Sequence, residues 1–170
     1  MAGHRHRSAQ WRQARTRGAT LLRLSMLRGN YLATVDEKGR MKIPSDFLAE
    51  LRKSGSKFYV TSDSGLYARV YTMKAWQDIE RKLAKLSTHN GAKQRFLARA
   101  NYYGQVVEVD GQGRILIPPV LRESAQMKGE VDVQGQLTYL EVWNHARFLE
   151  QMNRNPMTAE DEKTLDDLGI

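Results

Sequence analysis

"VDEKGRMKIPS" at residues 35–45 returns as "VDGQGRILIPP" at residues 109–119, a displacement of 74 positions (Asp36 to Asp110). Aligned without a gap, the two share Val, Asp, Gly, Arg, Ile and Pro at the same places. An internal repeat of this period governs architecture and is read before any local pattern. Around the first copy, "NYLATVDEKGRMKI" alternates Tyr31, Ala33 and Val35 before the turn, then Met41 and Ile43 after it. That period of two predicts a half-buried hairpin. Gly39 and Gly113 provide the positive φ that such a turn needs.

Working outward, Pro44 ends the strand and Ser45 is the expected cap of a short helix, "SDFLAELRK", which stops near Ser54-Gly55. "KFYVT" and "LYARVYT" flank "SDSG" as a second hairpin, and Thr72 is placed to cap a helix over about Met73 to Leu86. Trp76, Ile79 and Leu83 line one face of that helix. The second copy repeats the order. "QVVEVDGQGRILI" is the hairpin, Pro118 and Pro119 lead into "VLRESAQM", "EVDVQ" and "TYLEVW" flank "GQL", and Asn144 caps "HARFLEQMN". Val70-Tyr71 answers Val142-Trp143 and Trp76 answers Phe148, now 72 positions apart. Between the copies "LSTHNG" is a turn and "AKQRFLARANYY" an extra helix.

The expected organisation is an arm over residues 1–25, half one over 26–90, a connecting helix over 91–104, half two over 105–153 and an acidic tail over 154–170. The tail reads either as a frayed helix or as disordered. Each half has too few elements to shield a core alone. The two are therefore expected to pair about a pseudo-twofold axis in one small β-barrel with flanking helices. The fold class is α+β and strand-rich, with the two turns side by side.

Charge is unevenly placed along the 170 residues, whose formal total is +8. Residues 1–28 hold seven Arg and no acid, 29–155 net +5, and 156–170 net −4. The basic balance thus reflects an arm more than a folded surface. The arm reads as a solvated, disordered tail without a signal-peptide core. Met26 opens the first patterned segment and is a candidate translation start. No apolar run approaches the roughly 18–20 residues that cross a bilayer, so no membrane partner is expected. The chain has no cysteine, which excludes disulfides and thiolate metal sites and fits a cytoplasmic location. His4 and His6 lack nearby co-ligands, so neither a metal nor a cofactor is expected.

The turns carry the chemistry. Arg40 and Arg114 follow a glycine at the tip of a tight hairpin, where a planar guanidinium can donate two parallel hydrogen bonds to guanine O6 and N7 or to a phosphate. Asp36 and Asp110, four residues earlier, can accept turn amides or orient the Arg. Lys38 and Gln112 occupy one place in the two loops, within reach of phosphates or base edges. The competing reading is that Asp and Arg merely satisfy each other across each turn.

An enzymatic reading is disfavoured. Two Asp from two symmetric halves resemble an aspartic-protease dyad, but those lie in Asp-Thr/Ser-Gly turns, and an Arg beside each Asp favours ionisation over a shared proton. No nucleophile triad, phosphate-cradling loop or metal cluster stands out. Tyr59, Tyr67, Tyr71, Trp76, Trp143 and Phe148 read as core, and His89 and His145 as solvated.

"YLATVDEKGRMKIP" and "VEVDGQGRILIPPVLR", with "LEVW" some way after the second turn, resemble the MraZ family of bacterial transcription regulators over roughly Met26 to Met152. The resemblance implies two AbrB/SpoVT-like swapped-hairpin halves and a ring-shaped homo-oligomer. It further implies a repressor that binds G-rich direct repeats of double-stranded DNA in the promoter of the division and cell-wall gene cluster, hence a cytoplasmic, nucleoid-associated protein. By motif match the family's DNA-contacting arginines are Arg40 and Arg114. An oligomeric scaffold or antitoxin-type module of the same fold, with a protein partner, is the alternative. Leu48 departs from the pattern, standing where Arg122 stands in half two.

Overall fold

Strict alternation decides the centre of the molecule. Met41 and Ile43 are fully buried while Lys42 between them is exposed, and Ile115, Leu116 and Ile117 repeat the pattern. The computed structural model describes residues 26–170, so the arm, with His4 and His6, lies outside the described residues. The first half runs β1 (Asn30–Val35), β2 (Arg40–Lys42), α1 (Ser45–Arg52), β3 (Lys57–Thr61), β4 (Ala68–Thr72) and α2 (Met73–Ala84). Then α3 (Gly91–Tyr103) leads to β5 (Gln105–Glu108), β6 (Arg114–Leu116), α4 (Pro119–Ser124) and β7 (Gly129–Gly135). After these come β8 (Leu140–Asn144), α5 (His145–Arg154) and α6 (Ala159–Asp166).

The eight strands form one sheet in the order β5-β3-β4-β8-β7-β1-β2-β6. Its two ends, β5 and β6, are joined by the second turn, where Asp110 N donates to Arg114 O at 2.9 Å. The sheet is therefore a nearly closed barrel. Exchanging the halves maps the cyclic order onto itself, which is the pseudo-twofold expected from the repeat. The hairpins are swapped: β1 pairs with β7 of the other half, and β5 with β3.

The axis can be located from the register. On one side β2 and β6 meet with Met41 opposite Ile115, 74 apart. On the other, β4 and β8 meet with Arg69 opposite Glu141, 72 apart. Intermediate strands correspond at 73, as Phe58 opposite Val107 answers Val131 opposite Ala33. Half two is thus one residue shorter after its first helix and one shorter in its second hairpin.

The barrel interior draws on both halves: Met41, Ile43, Phe58, Val60 and Val70 meet Ile115, Ile117, Val131, Leu140 and Val142. Phe47 and Leu51 of α1 and Leu121 of α4 belong to the same cluster. Full burial of such a side chain is worth roughly 1.5–3 kcal/mol, and either half alone would expose its set. Thr72 and Asn144 cap α2 and α5 as expected, accepting from Ala75 N and Arg147 N, each at 3.1 Å. The tail takes the helical alternative: α6 starts in a capping box between Thr158 and Asp161.

Three expectations are corrected. Ser45 makes no cap; Pro44, with φ −50 and ψ 135, occupies the cap position, so Ser45 already lies inside the helix. Tyr31 is not an interior residue but stays exposed, its ring edge-on to Phe47 and its hydroxyl donating to Asp46. Tyr59, Tyr71, Trp76 and Trp143 are buried, as expected of core residues, while Tyr67 and Phe148 are half-buried. Tyr59, Tyr71 and Trp76 form a separate outer cluster with Ala100 and Phe96 of α3. Finally, His145 is not simply solvated: its Nδ1 lies 2.7 Å from Oδ2 of buried Asp132, whose Oδ1 accepts from Asn30.

The outer aromatics also obey the symmetry. Tyr71 rests on Tyr139 at 4.9 Å, and its counterpart Trp143 stacks on Tyr67 at 4.4 Å. Between the two tyrosines, Arg69 lies 5.2 and 5.3 Å from the Tyr67 and Tyr139 ring centres, and pairs with Asp63 at 3.1 Å and Glu141 at 3.3 Å.

Candidate nucleic-acid interface

Each turn is closed by its own backbone. Gly39 N donates to Asp36 O at 2.9 Å and Gly113 N to Asp110 O at 3.0 Å, with φ of +80 and +76 at the two glycines. A residue with a Cβ is strained there, which is why glycine recurs. The turns are then locked together: Ile43 N donates to Gly113 O and Ile117 N to Gly39 O, both at 2.9 Å. The structure therefore sets the two turns side by side about the β2–β6 ladder.

Within each turn the carboxylate holds the arginine. Asp36 Oδ1 accepts from Arg40 N and Oδ2 from Arg40 Nε, each at 2.8 Å, and Arg40 Nη2 also lies 2.8 Å from Oδ2. Asp110 Oδ1 accepts from Arg114 N and Gln112 N, both at 2.9 Å, and Oδ2 from Arg114 Nε at 2.8 Å. Hydrogen bonds to the ionised form lower a carboxyl pKa. The backbone amide of Arg40 holds Asp36 below its ordinary range, helped by the Arg40 side chain. The amide of Arg114, then its side chain, brings Asp110 down to about 2.

Because side chains alternate, Arg40, Lys42, Arg114 and Leu116 share the outward face of the β2–β6 ladder. Arg40 stands opposite Leu116 and Lys42 opposite Arg114, so the two arginines are diagonal neighbours, roughly 7–8 Å apart by sheet geometry. They keep about a third and a quarter of their side-chain surface exposed, 33% and 26%. Lys38 and Gln112 project, exposed, from the tips. Among the described residues no group other than its own Asp bonds either guanidinium. All eight residues singled out in the sequence thus lie in the two adjoining turns. Lys42 was missed, although its place two residues after Arg40 is a sufficient signal.

The chain matches the MraZ protein family, whose description also carries the term "antitoxin-like", over residues 26–99 and 104–168. The chain belongs to the MraZ family. It is 51% identical over 146 residues to the transcriptional regulator MraZ of Acidobacterium capsulatum, covering 85% of this chain and 100% of that protein. The MraZ of Koribacter versatilis is likewise 51% identical over 147 residues, and that of Caldicellulosiruptor saccharolyticus 38% over 149, with the same coverages. The MraZ match spans both turns and both halves of the barrel. Among the described residues, no helix is long and apolar enough to cross a membrane, and no three His, Asp or Glu gather as a metal site.

Proposed function

We propose that this protein is a DNA-binding transcriptional regulator that reads double-stranded DNA with the paired turns, Arg40 and Arg114 contacting guanine edges while Lys38 and Gln112 reach phosphates or neighbouring bases. The observation that carries the reading is the pair of arginines diagonal on one outward face, each oriented by its own Asp and partly exposed. In this reading Asp36, Gly39, Asp110 and Gly113 orient the loops. Half one is residues 26–90, half two 105–153, with 91–104 connecting, 1–25 a basic arm and 154–170 an acidic tail. The relatives carry the name of transcriptional regulators rather than enzymes, which supports the regulator class.

The finer reading is a repressor of the division and cell-wall gene cluster, cytoplasmic and nucleoid-associated, that assembles as a ring. Repeated subunits then meet G-rich direct repeats, and weak modules gain avidity. The antitoxin-type reading has the family description in its favour and places a protein, not DNA, on the same face. Titration of a duplex with G-rich direct repeats against a scrambled duplex, at one salt concentration, decides between them. The regulator binds the repeats far more tightly; equal affinity for both duplexes removes the proposal.

A further inference from the structure

Positions 48 in α1 and 122 in α4 are equivalent, 74 apart, and each side chain lies over the glycine of the opposite half's turn. Arg122 reaches across from half two, and its Nη1 donates to Lys38 O at 3.1 Å. A Cβ on Gly39 would fall on that guanidinium. Leu48 lies in the matching place, its Cδ2 2.8 Å from where a Cβ on Gly113 would stand. Leucine has no donor, and among the described residues no side chain donates to Gln112 O, the carbonyl that corresponds to Lys38 O.

The Lys38 carbonyl is not used by the turn itself, which closes through Asp36, Gly39 and Arg40. A charge-assisted bond from Arg122 therefore adds an anchor that the local sequence does not provide. The anchored peptide joins Lys38 to Gly39 and directly precedes Arg40.

We infer that Arg122 is a positioning residue for the first turn: it fixes the Lys38–Gly39 peptide from the opposite half and so aims Arg40 and Lys38, while the second turn rests on Leu48 without such an anchor. The assignment builds on the DNA-reading function proposed above. It makes the first turn the pre-organised one and the second the adaptable one.

The test is Arg122→Met, which keeps the aliphatic stem and removes the donor, with Arg122→Ala beside it. In the free protein, hydrogen exchange at Gly39 and Arg40 should quicken in Arg122→Met, while Gly113 and Arg114 exchange as before. Affinity for the repeat-bearing duplex should fall about tenfold, the value of a hydrogen bond from a charged group. The slope of log affinity against log salt should stay unchanged, because a positioning residue neutralises no phosphate. A slope reduced by about one would make Arg122 a phosphate contact and overturn the assignment. Unchanged exchange at Gly39 and Arg40, or quickened exchange at both turns with a lowered melting temperature, would overturn it too. Failure of the DNA reading is seen separately. If Arg40→Ala and Arg114→Ala leave operator preference intact, that reading falls, and the exchange comparison in the free protein still judges Arg122.

Discussion

In the first turn Arg40 engages Asp36 through both Nε and Nη2, whereas in the second Arg114 uses Nε and Asp110 adds the Gln112 amide as a further donor. The tips differ as well: Glu37 and Lys38 are charged, while Gly111 and Gln112 are not. Over the first lies the guanidinium of Arg122, over the second the methyls of Leu48. The backbone geometry is nevertheless the same, because it depends on what the two copies share, an Asp acceptor and a glycine at positive φ. Identical turns have thus been placed in unlike settings. The comparison teaches that a repeat can preserve the presentation of an arginine while dividing other tasks between its copies.

The comparison is broken most severely by removing both arginines. Arg40→Ala with Arg114→Ala should erase the preference for repeat-bearing DNA, at about 1–3 kcal/mol of discrimination per lost guanine contact, multiplied where several subunits bind one duplex. Melting should hardly move, since an Asp–Arg pair in contact with solvent on a turn contributes little to stability. Titrations on both duplexes, with melting curves alongside, check this.

Next in size is Leu48→Ala. Leu48 is at the margin of the core, 9% exposed, so its truncation should cost about 2–3 kcal/mol, the lower part of the range for buried leucines. The denaturation midpoint should fall without change of slope, and hydrogen exchange should quicken at the second turn first.

Adding a methyl to each glycine sharpens the contrast further. Both Gly39→Ala and Gly113→Ala force a left-handed alanine, costing roughly 1–2 kcal/mol. At Gly39 the methyl meets the free end of a long side chain, which can swing away; at Gly113 it meets Leu48, held in the core. Gly113→Ala should therefore melt lower than Gly39→Ala, and the opposite order would contradict the assignment of the two supports.

The smallest effect is a titration. Asp110, lowered from an ordinary value of 3.8 to about 2, contributes stability that is fully present above 3.8 and lost as the pH falls through about 2. Asp36 is lowered in the same direction, so its contribution is also lost on acidification. Carboxyl chemical shifts followed from pH 5 downward should show both turn carboxyls protonating below the ordinary carboxylate range, because each accepts turn amides and its own arginine. A turn carboxyl that titrated at its ordinary value would show that its arginine does not hold it.

What the sequence revealed was mostly short-range. Thr72 and Asn144 act on amides three residues away, and the glycines act within their own turns, so pattern alone locates them. The exchange of hairpins was implied by the family resemblance and not by any local pattern, because β1 meets β7 about a hundred residues later, as Asn30 with Gln134. Arg122 and Lys38 are 84 positions apart, and nothing near either marks the contact. Ser45 misled because a good capping residue followed a proline that already held the cap. Tyr31 misled because alternation distinguishes faces of a strand, not which face a helix such as α1 will cover.

The opposition of Arg69 and Glu141 has a consequence for how the chain recognises itself. A dimer of two first halves would set Arg69 against Arg69, and one of two second halves Glu141 against Glu141; like charges directly opposed disfavour strand pairing. Only the mixed pairing brings opposite charges together, with the Tyr67 and Tyr139 rings closing on the arginine from both sides. That pair directs each half to its complement and keeps the barrel from being built out of two like pieces.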